Sequence, residues 1–156
     1  MRYLIASFLI CSSLVVSSQV KLYRGDSTFD SDIAYTIQNG FVYHGDMTFN
    51  RKVIYTISNN KIYMGQSTSS FDCLYTFTDT QVYRGESKFS TDLIYTIDQG
   101  KVYRGNTTFS TNCILTLDDT KIYMGDSTFS TDLLFTVTGL NTEITLAILA
   151  CIAGPY

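Results

Sequence analysis

Tryptophan is absent from the 156-residue chain, proline and histidine each occur once, and only four cysteines are present. A single histidine leaves no cluster for a metal or a proton relay. The cysteines are few and widely spaced. Once a leader carrying Cys11 is set aside, the odd trio Cys73, Cys113 and Cys151 is no disulfide framework. Charge is also sparse, at 16% of residues, and it leans acidic, with eleven Lys/Arg against fourteen Asp/Glu. That balance removes a basic nucleic-acid footprint from the default readings. No G-x-S-x-G, Walker loop, H-E-x-x-H or C-x-x-C occurs. A Ser/His/Asp set could be drawn from any of the many serines, so it carries no weight. No catalytic residue, cofactor site or metal site is therefore expected.

Hydrophobic residues make up 45% of the chain, with twelve Tyr and ten Phe. A packed core is expected and disorder is not. Tyr, Phe, Thr and Ile favour a pleated, half-buried surface, which points to β structure.

The chain opens MRYLIASFLICSSLVVSSQV, with Arg2 as a positive start, an apolar stretch from Tyr3 to Val16, and small residues at Ser17 and Ser18. This pattern is that of a secretory signal peptide over residues 1–18, with Gln19 as the first mature residue. The apolar stretch is too short to span a bilayer, so the mature chain is expected to be secreted, periplasmic or extracellular, with no membrane span. Without Arg2 the net charge becomes −4.

From Lys21 the sequence repeats with a period of 20 residues, in six copies that start at residues 21, 41, 61, 81, 101 and 121 and need no gaps. Position 3 is always Tyr, position 5 always Gly and position 16 always Thr. A strict fixed period means repeated units that share a core with their neighbours. Each copy holds two strand candidates, at positions 1–5 and 13–17. Between the second strand and the next copy lie residues such as Gln38-Asn39-Gly40, suited to a tight turn. The longer connection, as in Asp126-Ser127-Thr128-Phe129-Ser130-Thr131-Asp132, is rich in turn-forming side chains, and its Phe is expected to fold back as an anchor. Cys73 and Cys113 replace Ile, Val or Leu of other copies, so they are expected to be buried thiols.

The pattern breaks after Gly139. Asn141 can cap a helix over Thr142–Ala153, and Gly154-Pro155 would end it. That segment has almost no polar face, and a helix apolar all round is buried all round. The expected architecture is therefore all-β, six hairpin-type repeats over residues 19–140 closed into a ring, with the C-terminal segment 141–156 plugging the centre. An open β-solenoid capped by the helix is the alternative.

The unit KIYMGDSTFSTDLLFTV, the segments Y-x-G-x-S-T-F and D-x-x-Y-T-I, and the tail L-N-T-E-I-T-L-A-I resemble the secreted bacterial beta-flower repeat proteins of the four-fold beta-flower family. The resemblance covers residues 21 to about 152. It implies hairpin petals about an axis with an apolar C-terminal segment among them. It implies no activity. The copy number departs from it, with six repeats where the family name has four.

In a ring, equivalent positions form circles of side chains. Position 4 gives Arg24, His44, Met64, Arg84, Arg104 and Met124. Position 6 gives Asp26, Asp46, Gln66, Glu86, Asn106 and Asp126, and position 12 gives Asp32, Lys52, Asp72, Asp92, Asn112 and Asp132. Amides and Lys52 interrupt these sets, so turn-forming Asp is preferred to a Ca²⁺ site. His44 alternates with Arg and Met, which suits an exposed side chain. The Thr column carries the paired T-x-T of an ice-binding face in only two of its six copies, at Thr76-Phe77-Thr78 and Thr136-Val137-Thr138, too few to make such a face. The functional expectation is a non-enzymatic structural or interaction protein with a protein or glycan partner and no nucleic acid. Its rival is a glycan- or peptide-binding module using rim Tyr, Arg and Asp, with Tyr83, Tyr103, Arg84 and Arg104 as the candidate ligand-facing residues. Packing of the tyrosines against the petals is the competing assignment.

Overall fold

A computed structural model of the chain describes residues 19–46, 53–140 and 144–154. The expected leader, residues 1–18, and the expected first residues of the helix, 142–143, lie outside them. Twelve strands occur in chain order: β1 Val20–Arg24, β2 Ile33–Gln38, β3 Phe41–His44, β4 Val53–Ser58, β5 Lys61–Met64 and β6 Cys73–Phe77, then β7 Gln81–Arg84, β8 Leu93–Asp98, β9 Lys101–Arg104, β10 Cys113–Asp118, β11 Lys121–Met124 and β12 Leu133–Thr138. They form one closed antiparallel barrel in which every strand pairs with its chain neighbours and β12 pairs with β1. The seam repeats the internal register. Leu22 faces Val137 and Arg24 faces Phe135, just as Ile122 faces Leu117 and Met124 faces Leu115. The ring is closed and the open solenoid is excluded.

The tight turns follow their residues. Asn39 and Gly40 both have positive φ, at 53° and 75°, the geometry of a two-residue turn that matches strand twist. Asn59-Asn60 and Gln99-Gly100 do the same. The Thr78-Asp79-Thr80 turn has no Asn or Gly, and its residues are not among those with positive φ. There β6 stops at Phe77, and the Thr78 hydroxyl accepts a bond from the Gln81 amide at 3.0 Å. Position 5 glycine lies just outside the first strand in a left-handed conformation, as at Gly45 (φ 73°).

The Thr column has a structural role. In all six copies the position 16 hydroxyl donates to the carbonyl of the next copy's position 5 glycine, from Thr36 to Gly45 at 2.7 Å through to Thr136 and Gly25 across the seam. A second tie joins neighbouring copies on the outside: Lys21–Asp46, Lys61–Glu86 and Lys101–Asp126. Lys121–Asp26 completes this set around the seam.

Inside, position 2 residues such as Leu22, Val42, Val82 and Ile122 are fully buried. Strands alternate faces, so positions 2, 4, 15 and 17 point inward and positions 1, 3, 13 and 16 point outward. The facing of the second strand of each copy is set by a bulge. The register slips between positions 2 and 3, so that Leu22 faces Tyr35 while Tyr23 faces Ile33. Position 14 is the extra residue, and Ile54, Ile94, Ile114 and Leu134 pack against the inner core.

With a strand spacing near 4.8 Å and the usual tilt, a twelve-stranded barrel has a radius of roughly 12 Å, too wide for side chains alone to fill. The helix α1, Leu146–Ala153, fills it. Ala147 to Ile152 are buried and join the core of the barrel, with α1 packing on β6 and β9. The plug is shorter than expected: it starts after Thr145, whose extended backbone sits ahead of the first turn. Among the described residues no helix is long and apolar enough to cross a membrane.

Candidate mouth of the barrel

The six long connections all leave from one rim, because they join the same ends of antiparallel strands. Five of them are built structures, and the connection of copy two, over residues 47–52, lies outside the described residues. The position 7 hydroxyl accepts the amide of position 9, as in Phe89 to Ser87 (3.1 Å) and Phe129 to Ser127 (3.1 Å). It also donates to the position 12 aspartate, in the pairs Ser27–Asp32, Ser67–Asp72, Ser87–Asp92 and Ser127–Asp132. A single 3-10 turn then leads into the next strand, as at Ser90–Asp92. This accounts for all four position 12 acids, and Lys52 lies outside the described residues.

The expected inward anchor is overturned at the phenylalanines. Phe29, Phe89, Phe109 and Phe129 are 74–75% exposed, and Phe71 is 98% exposed. The hydroxyl tie holds position 9 away from the sheet, and the interior is already filled by α1. Copy three has Ser69 at that position and carries its Phe two residues later, still in water.

The inner wall near the same rim is made by position 15: Tyr35, Tyr55, Tyr75, Tyr95, Leu115 and Phe135. Tyr35 packs its ring against Phe135 at 6.2 Å and edge-on against His44 at 6.0 Å. The floor is the C-terminal end of α1, since a Cβ at Gly154 would lie 3.6 Å from the Tyr95 hydroxyl oxygen. Burial pushes the Tyr75 phenol up to about 12, helped by the neighbouring Cys151, Tyr95 and Tyr55, with Arg84 opposing. Burial alone pushes Cys151 up to about 12. Above the tyrosines stands the position 4 circle, all six members exposed. Arg84 faces Tyr75 and Arg104 faces Tyr95.

Two recesses open in this wall. One, of about 480 Å³, is lined by Tyr35, His44, Ile54, Tyr55 and Met64 with Val53 and Gly65. The other, of about 260 Å³, is lined by Arg104, Thr111, Asn112 and Ile114. Among the described residues neither has an acid in its lining.

The four candidate ligand-facing residues thus divide by strand face. Arg84 and Arg104 stand at the open mouth. Tyr83 and Tyr103 are only 8% and 6% exposed and lie on the outer face, where Tyr83 donates its hydroxyl to Gln81 at 2.6 Å. They pack, as the competing assignment had it. The aromatic side chains of the mouth are those of position 15, and the exposed ones are those of the long loops. The buried-thiol expectation fails for Cys73 and Cys113, which are half-buried on the outer face with thiol bonds to the carbonyls of Tyr75 and Leu115, while Cys151 on the helix is buried. Among the described residues no group of three His, Cys, Asp or Glu side chains could hold a metal.

A family model described as 6-fold beta flower protein matches residues 22–150. Neither the curated proteins nor the solved structures contain a match to this chain.

Proposed function

Because this chain belongs to the 6-fold beta flower protein family, which is defined by its fold and not by a reaction, we propose that it is an exported, non-enzymatic interaction module whose docking face is the long-loop rim. One observation carries this reading. Five phenylalanines are held 74–98% exposed on that rim by loops with their own hydrogen bonds. Single exposed apolar residues are ordinary, but a repeated set on one rim is a binding surface. The recurring polar side chains support the non-enzymatic reading, since Thr, Ser, Asp and Lys of the repeat bond to one another or to backbone. The N-terminal pattern from Arg2 to Ser18 supports export.

A protein surface with apolar pockets is the favoured partner, with a glycan as the second reading because Ser and Thr hydroxyls flank each ring. The test is the quadruple variant Phe29→Ser, Phe89→Ser, Phe109→Ser and Phe129→Ser, using the residue that copy three already has. Wild type and variant are compared on a glycan array and in pull-downs from cell-envelope extract. Specific partners retained by wild type and lost by an equally heat-stable variant support the rim. Equal retention by both, or a variant that loses its fold, ends the proposal.

A further inference from the structure

Lysine and arginine are segregated in this barrel. Every ion pair among the described residues uses a lysine on the outer wall. The position 6 carboxylates are paired there, and all four position 12 carboxylates are held by serines. The three described arginines take part in none of these pairs. Arg24, Arg84 and Arg104 stand exposed in the circle that rings the mouth, so the guanidiniums of the described residues are gathered at the opening.

The 480 Å³ recess lies within one arc of that circle, between His44 and Met64. Its size is that of a small-molecule site. Tyr35 and Tyr55 supply flat ring faces, Ile54 an aliphatic contact and Met64 a polarizable sulfur at 59% exposure. Going round the circle, Arg24 is the next member beyond His44 and Arg84 the next beyond Met64. Guanidiniums grip a carboxylate through paired N–H donors.

From this arrangement we infer that the barrel mouth binds a small organic anion with a flat aromatic body, the body seated between Tyr35 and Tyr55 and the carboxylate held by Arg84 or Arg24 at its edge. An aromatic body is favoured over an acyl chain because the recess offers two tyrosine rings and a thioether. This site is separate from the phenylalanine rim, so either can stand without the other.

Isothermal titration of the mature protein with 1-naphthoate, beside the uncharged 1-naphthalenemethanol, tests it. Saturable 1:1 binding of the acid is expected, at least tenfold tighter than the alcohol and weakening with added salt. In the double variant Arg24→Gln, Arg84→Gln the acid should fall to the affinity of the alcohol. Tyr55→Leu should weaken both compounds. The Phe→Ser rim variant should bind the acid as wild type does, which separates this site from the docking face. The inference is overturned if the acid does not bind up to millimolar concentration, if acid and alcohol bind equally, or if the double arginine variant, equally heat-stable, binds the acid unchanged.

Discussion

Three residue columns do most of the work, and each has a local reason. Glycine at position 5 turns the chain out of the strand at positive φ, which leaves its carbonyl without a ladder partner, and threonine at position 16 supplies the missing bond. Thr36 is completely buried, and its hydroxyl donates to the Gly45 carbonyl. Thr36→Val keeps the shape and removes the donor, leaving a buried acceptor unpaired. A loss of about 1–2 kcal/mol in urea unfolding is expected. An unchanged midpoint would mean that water or another donor satisfies Gly45. The threonine and glycine columns were both visible in the sequence. Their pairing was not, because the two partners are nine residues apart and meet only through the hairpin.

The element most exposed to a change of conditions is α1. Cys151 on the helix and Tyr75 on β6 are both raised to about 12, mainly by burial, from ordinary values of 9.0 and 10.0. The folded state thus holds two protons more tightly than the unfolded chain does. Their contribution to stability is complete below about pH 9 and is lost as pH rises from there towards 12. The urea midpoint should stay level up to about pH 8.5 and fall steadily above it. Cys151→Ala should remove the early part of that fall, and a flat profile to pH 11 would contradict the burial of both groups. The helix itself was legible from its lack of a polar face, whereas its first turn was not. The sequence allows a cap at Asn141, but Ile144 and Thr145 do not join the helix.

At the scale of the whole molecule, closure leaves a space that the helix fills. Deleting residues 142–156 should expose the inner faces of Leu22, Val82, Val102 and their equivalents, giving aggregation and strong binding of apolar dyes. A truncated protein that stays monomeric with the same Tm would show that the barrel does not need the plug. Closure also left a trace in the sequence. Where position 1 is Lys, the next copy carries an acid at position 6, and where it is Phe41 or Gln81 the next copy carries the amides Gln66 and Asn106. Lys121 follows this rule only if Asp26 of the first copy is its neighbour, as it is at 2.9 Å. The seam is tight as well: a Cβ at Gly139 would lie 2.1 Å from the Gln19 carbonyl oxygen.

The repeat period, the strand pairs, the turns and the buried tail were all determined by the sequence alone, because each rests on contacts within about 20 residues or on the polarity of one segment. The inward or outward direction of each side chain needed the tertiary structure. A one-residue bulge, recurring between positions 2 and 3, turns position 15 into the mouth and leaves position 3 packed on the outer face. Side-chain direction in a strand reverses with every residue, so a single inserted residue exchanges wall for site while leaving the hydrophobic pattern unchanged.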